Sequence, residues 1–488
     1  MDIGHKATRS AINVAMDMAI KHTKKDKEEG VKDIIKLFSQ FMKPTKEDLQ
    51  EGTGGNAFSG MNHIINESNK KWVTYISNLF NEIDPKIIKT LTLSLGYESG
   101  YKGMNEIRKA RKANNCNIPW AIIFDPTSAC NRHCKGCWSG EYGDKSSLSY
   151  ADMDSIVTQA NALGTHFFLM TGGEPLVRKA DIITLAKNHP DSEFHIFTNG
   201  TLIDQKFCDD LLSVGNIILA LSLEGWEDTN DFRRGKGSFK CTMDAMDLLK
   251  KNRLAFGTSI CWTHQNYKTV VSDEFVDMII EKGCRWAWYF HFMPVGQNTN
   301  TDLLPTVEDR VDFLSRIRKI RSSESDKQIV PLDFQNDSEF VGGCIAGGRN
   351  YMHINSAGDV EPCVFIHYSS ANIHDMSLLD CLKQPLFQAY HREQPFNKDL
   401  YMPCPMLENP EFLPRMVRES GAHSTDLEAP ETAEHLCAKT KEYAEKWQPI
   451  SHELWSKTPD KSKLRAEKAM NKKEVFQKIV PIEETRAN

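Results

Sequence analysis

Three cysteines, Cys130, Cys134 and Cys137, stand at the spacing C-x3-C-x2-C within the short stretch ACNRHCKGC. Thiolates spaced this way on one loop suit three irons of a cubane, and a fourth iron left without a protein ligand is a place for chemistry. A zinc site built from the same cysteines with His133 is the competing reading, although zinc motifs usually come as separated C-x2-C or H-x3-H pairs. Further along, Cys344 and Cys363 flank Gly358 as C-x13-G-x4-C, and Cys381, Cys404 and Cys437 follow. Four thiolates complete one cluster, so Cys344, Cys363, Cys404 and either Cys381 or Cys437 are candidates for a second iron–sulfur centre, with Cys437 carried forward as the fourth. Cys208, Cys241, Cys261 and Cys284 lie among apolar residues and read as small buried side chains.

Other residues with chemical capacity lie between the two sets. Gly172-Gly173-Glu174-Pro175 combines glycines, which let backbone approach a ligand closely, with a carboxylate that offers an acceptor to a cationic amine. Asn199 stands in TNG, and Ser222 and Glu224 in SLEG. Arg233 and Arg234, in NDFRRGKGSF, offer planar cationic forks of the kind that binds carboxylates. The sequence does not separate the two arginines, and Arg234 is carried forward.

These residues need a frame. From about residue 118, β-branched and aromatic runs alternate with helix-length amphipathic segments: PWAIIFDPT, HFFLMTGG, EFHIFTNG, NIILALSLEG, AFGTSICWT and RWAWYFHFM. The alternation calls for right-handed βαβ units, an α/β fold with a parallel sheet, and six units suit a partial (β/α)6 TIM-like barrel. Its site belongs at the strand C-terminal ends, where the cysteine loop, GGEP, TNG and SLEG all fall. Residues 1–117 read as a helical N-terminal region, with Ile12, Met16, Ala19 and Ile20 on one face, Trp72, Ile76, Leu79 and Phe80 on another, and the breaker-rich EGTGGNAFSG between them. The barrel is assigned to 118–329, a small cysteine-bearing module to 330–440, and a charged helical tail to 441–488. Within the module, YMHI and VEPCVFI are expected to form a hairpin across NSAGD.

Taken together, the cysteine loop, GGEP, TNG and SLEG resemble the radical S-adenosylmethionine (SAM) superfamily. The resemblance implies a [4Fe-4S] cluster on Cys130, Cys134 and Cys137, with SAM bound at its open iron. Gly172, Gly173, Glu174 and Pro175 would grip the methionyl amino group, and Asn199, Ser222, Glu224 and Arg234 the ribose and carboxylate. It also implies reductive cleavage of SAM to a 5′-deoxyadenosyl radical that abstracts hydrogen from an unactivated C–H bond. One departure stands out: many relatives carry an aromatic residue just before the third cysteine, where this chain has Gly136, and Trp138 is the nearest substitute. The spacing around Gly358 resembles the start of a SPASM or twitch extension, which implies one auxiliary [4Fe-4S] cluster. The dense C-x2-C-x5-C-x3-C run of a full SPASM module is missing.

Composition narrows the partners. With 40% hydrophobic and 26% charged residues the chain of 488 is globular, and a net charge of −6 gives no reason to expect nucleic acid. No signal peptide or membrane span is read, so the expected location is cytoplasmic, and thirteen cysteines there point to metal rather than to disulfides. An electron donor such as flavodoxin or ferredoxin is expected. The substrate reading is a peptide or protein side chain. Its rival is a lipid or long acyl chain met at a membrane surface through the amphipathic helices of residues 1–112. A non-catalytic iron–sulfur redox protein is the alternative of another class.

Overall fold

The computed structural model describes residues 3–41, 70–142, 146–296 and 299–479. All six expected strands are present: β1 (Ala121–Phe124), β2 (Phe167–Met170), β3 (Glu193–Thr198), β4 (Ile217–Ser222), β5 (Phe256–Trp262) and β6 (Trp286–His291). They pair in parallel in sequence order. β4, IILALS, is buried along its whole length, as a strand covered on both faces must be. β6, WAWYFH, alternates: Ala287, Tyr289 and His291 are buried, while Trp286, Trp288 and Phe290 are half-buried. A period of two sends these sets to opposite faces, which turns Trp288 and Phe290 into the barrel interior.

The sheet extends past the six strands. β7 (Val330–Asp333) adds in parallel to β6, and β8 (Tyr351–Ile354) adds in parallel to the other side of β1, Ala121 opposite Tyr351 and Phe124 opposite Ile354. The hairpin expected across NSAGD is present: β9 (Val360–Glu361) pairs antiparallel with β8, His353 opposite Glu361. The order is therefore β7-β6-β5-β4-β3-β2-β1-β8-β9, with β7 and β9 as edges, and the barrel stays open. Pro331 is tolerated in β7 because an edge strand leaves one side without ladder bonds.

Helices occupy the N-terminal region: Ile3–Lys25, Lys27–Phe41, Lys70–Glu82, Pro85–Leu91 and Met104–Asn114, with wider π-type turns over Thr92–Gly103. That π segment packs on β2 and β3. The approach is close, since a Cβ on Gly103 would stand 2.3 Å from the Gly164 carbonyl oxygen. Ile12, Met16, Ala19 and Ile20 are buried in the same core cluster as the barrel strands, so this stripe faces protein. EGTGGNAFSG lies outside the described residues. At the other end, helices Lys441–Ser456 and Asp460–Ile479 pack back onto the molecule. Trp447 is fully buried, its ring 4.0 Å from the Arg310 guanidinium, which pairs with Glu408 at 2.8 Å. Among the described residues, no helix is long and apolar enough to cross a membrane.

Candidate active site and auxiliary cysteine set

The loop after β1 carries Cys130, Cys134 and Cys137, and all three line one cavity, along with Gly172, Gly173, Glu174, Asn199, Ser222 and Arg234. Burial pushes the Cys130 thiol up to about 11, and burial with the neighbouring Cys134 charge raises Cys137, as expected of thiols held together away from water. Iron would reverse this cost, because a coordinating thiol is deprotonated outright. No three His, Cys, Asp or Glu side chains among the described residues converge as a single-ion site. A cubane asks for something else, one thiolate per iron. The donor set therefore fits a cluster.

Gly172 and Gly173 are required by packing against the cysteine loop. Gly172 sits at φ +99°, where a Cβ would meet Asp125 at 2.7 Å, and one on Gly173 would stand 2.2 Å from the Ala129 carbonyl oxygen. Glu174 is 1% exposed, and burial pushes its carboxyl above the usual range. Its Oε1 accepts from Thr198 Oγ1 (2.6 Å) and Leu176 N (3.1 Å), and its Oε2 from Asn199 N (2.8 Å). A carboxylate has roughly four acceptor positions, so about one remains for a ligand's cationic amine. Pro175 is buried at the start of a short helical turn and, unlike its three neighbours, does not line the cavity. Asn199 Nδ2 donates to Asn131 Oδ1 at 2.8 Å, tying the third strand's end to the cysteine loop.

Glu224 also lies outside the cavity lining. Fully buried, it holds Arg233 Nη1 at 2.9 Å and Arg234 Nη2 at 2.5 Å. The two arginines then diverge: Arg233 Nη2 donates to the Gly136 carbonyl at 3.3 Å, while Arg234 Nη1 lies 4.0 Å from Cys134 Sγ. Both arginines line the cavity beside the cysteines, and Glu224 holds the two of them there.

Phe292, just after β6, occupies the space over Gly136. The glycine has φ +63°, and its Cβ would stand 2.6 Å from the Phe292 ring. Trp138 turns away from this position and meets His353, Phe365 and His367 edge-on at 5.6, 6.3 and 6.0 Å. The aromatic group nearest to Gly136 thus comes from the segment after β6, and Trp138 reaches toward the cysteine-bearing module.

The cavity holds about 1220 Å³ and runs down the barrel interior between Phe167, Phe197, Trp288, Phe290, Phe334 and Tyr351. A drug-sized ligand needs roughly 300–1,000 Å³, so the chamber has room for a nucleoside cofactor and a second ligand. Cys261 lines it too, so this cysteine is not only core packing.

Cys344, Cys363, Cys404 and Cys437 of the second set share one core cluster with Tyr390. Burial raises its phenol far above the ordinary value, and charge on Cys344, Cys363, Cys404 and Cys437 pushes it the same way. Its hydroxyl is buried with no hydrogen-bond partner among the described residues. Cys363 Sγ accepts from the Tyr351 hydroxyl at 2.6 Å, and Cys404 Sγ from the backbone N–H of Met406 and Leu407, each at 3.4 Å. Donors aimed at sulfur are what a cluster-binding thiolate uses. Cys381 sits elsewhere, buried beside Leu378 and Leu382 in the other core cluster, on a helix packed against Tyr150–Ala162. Of the two alternatives for a fourth ligand, Cys437 is the one that shares a core cluster with Cys344, Cys363 and Cys404.

Residues 124–276 match the family model described as the Radical SAM superfamily, and residues 344–406 the SPASM model, described as an iron–sulfur cluster-binding domain. The chain carries a radical SAM domain followed by a SPASM domain. SAM and [4Fe-4S] clusters, auxiliary ones included, are the cofactors of this pair. The radical SAM domain and its extension are similar to the AdoMet-dependent heme synthase of Methanosarcina barkeri, 21% identical over 308 residues, covering 58% of this chain and 85% of that protein. The Fe-coproporphyrin III synthase of the same organism is 26% identical over 230 residues, 45% of this chain and 57% of that protein. The sporulation killing factor maturation protein SkfB of Bacillus subtilis is 22% identical over 272 residues, 54% and 64%. Among solved structures, Streptococcus suis SuiB superposes with a TM-score of 0.49 at 20% identity, covering 67% of this chain and 80% of that one.

Sequence reasoning missed Phe292, Tyr351 and the pair Asp125 and Glu361 that flanks His353. Only the alternation in β6 carried a usable signal, since it separates inward rings from outward ones.

Proposed function

We propose that this protein is a hydrogen-abstracting radical SAM enzyme whose substrate is bulky, mostly apolar and rich in π surface, a tetrapyrrole being the first candidate. When bound, the reduced cluster and SAM supply a 5′-deoxyadenosyl radical able to attack an unactivated C–H bond. The protein's own residues do the rest. Cys130, Cys134 and Cys137 hold the cluster; the free acceptor position of Glu174 receives the methionyl amine; Arg234, held by Glu224, meets the carboxylate; Asn199 and Ser222 edge the same space. The apolar walls exclude water, which protects a reactive species from side reactions.

The observation that carries the substrate reading is the aromatic chamber continuous with the cysteine loop. Trp288 and Phe290 stack at 5.6 Å and 25°, with Phe197 5.6 and 5.9 Å from each, which makes a wall suited to a flat ring system. The two relatives named as porphyrin enzymes support the same class. A second reading, oxidation or cross-linking of an apolar peptide side chain, is favoured by the similarity to SkfB. Of the helices that motivate the lipid reading, the stripe Ile12, Met16, Ala19 and Ile20 is buried in the core. Exposed His133 and Lys135 on the cysteine loop give an acidic electron donor of the flavodoxin or ferredoxin kind a place to dock.

The test is anaerobic reconstitution, then 5′-deoxyadenosine formation from SAM and reductant with Fe-coproporphyrin III or an apolar peptide present. Porphyrin-stimulated turnover that falls in Trp288→Ala supports the first reading. Stimulation by peptide alone supports the second, and no deoxyadenosine under any condition defeats both.

A further inference from the structure

We propose that the Tyr351 phenol sets the reduction potential of the auxiliary cluster and links that cluster to the substrate chamber. The inference rests on reading Cys344, Cys363, Cys404 and Cys437 as the auxiliary ligands.

Tyr351 is placed by the fold rather than by the cysteines alone. It opens β8, where its Cα pairs with that of Ala121 in β1, and its backbone N–H donates to the carbonyl of Ile345, the residue after Cys344, at 3.1 Å. Its hydroxyl donates to Cys363 Sγ at 2.6 Å. One residue, through its backbone and its side chain, therefore touches both arms of the cysteine set. Its ring lines the chamber and meets Phe334 edge-on at 5.9 Å. A ligand entering the chamber touches the same ring whose hydroxyl grips the sulfur.

A hydrogen bond to a ligand sulfur withdraws electron density and favours the more negative, reduced cluster, so it raises the reduction potential. The backbone N–H of Phe365 also points at Cys363 Sγ, but at 3.5 Å, so the phenol is the shorter donor.

The experiment uses the full chain carrying Cys130→Ala, Cys134→Ala and Cys137→Ala, which leaves the auxiliary cluster alone to be titrated by EPR against potential. Tyr351→Phe is expected to keep about four irons and shift the midpoint to lower potential. Site-specific 3-fluorotyrosine at position 351, a stronger donor of nearly the same shape, is expected to shift it upward. Opposite shifts support the proposal; unchanged midpoints in both variants overturn it. If Tyr351→Phe loses its iron, the fluorotyrosine shift alone decides, its presence supporting and its absence overturning. A background protein without iron overturns the ligand reading itself, an outcome distinct from unchanged potentials.

Discussion

Phe292 stands where a side chain on Gly136 would have to go: a Cβ at that glycine would lie 2.6 Å from the phenyl ring, and the backbone there is left-handed at φ +63°. Two independent constraints therefore demand glycine beside the third cysteine. Gly136→Ala should cost roughly 1–2 kcal/mol for the left-handed backbone alone, with the clash in addition, and should lower the iron bound by the radical SAM loop. Adding Phe292→Ala should restore part of that iron by removing the clash, while the backbone cost stays. Iron counts and thermal melts of the two variants check this. Equal iron in the single and double variants would show that Phe292 does not constrain the loop.

The two candidates for the fourth auxiliary ligand make opposite predictions. Cys437→Ala should lower the reconstituted iron from about eight to roughly four per chain, since a cubane left with three thiolates is poorly held. Cys381→Ala removes a thiol from a packed core and should leave the iron unchanged. Iron and sulfide assays on both variants separate them.

Glu224 pairs with both Arg233 and Arg234, and Arg234 Nη1 lies toward Cys134. Glu224→Gln keeps the shape but removes the charge that holds them. The expected outcome is SAM binding weakened about tenfold, roughly 1.4 kcal/mol, with the iron content intact. Equilibrium dialysis of reconstituted protein measures it, and unchanged affinity would mean that Arg234 is held by something other than Glu224.

His353 joins the two domains, with Asp125 Oδ1 at 3.0 Å and Glu361 Oε2 at 2.7 Å. Burial alone would lower the imidazole, but the two carboxylates outweigh it and raise it to about 10. A folded-state pKa above the unfolded value of about 6.5 means the native state holds this proton more tightly. The stabilisation is therefore complete below about pH 6.5 and fades as pH rises toward 10. His353→Gln should cost about 3–5 kcal/mol near neutral pH, because it leaves buried carboxylates without their cation. Denaturant unfolding between pH 6.5 and 9.5 should fall more steeply for wild type than for the variant.

Much of this protein was legible in the residues themselves. The C-x3-C-x2-C loop, GGEP and the β8–β9 hairpin are local, and so are the period-two runs that gave six strands. Chemistry or backbone geometry acting over a few neighbours fixes each of them. What the tertiary structure decided is long-range. β8 reads as half of a hairpin, and nothing in YMHI announces that it also extends the barrel alongside β1. Cys381 and Cys437 are equivalent in sequence; only packing sends Cys381 to the barrel-strand core and Cys437 to the cluster that holds Tyr390. Gly136 looked like a missing aromatic until Phe292, just past β6, filled its place, and nothing in SLEG announces that Glu224 holds two arginines through one oxygen. Such relationships depend on which elements the fold brings together, and short-range periodicity carries no record of that choice.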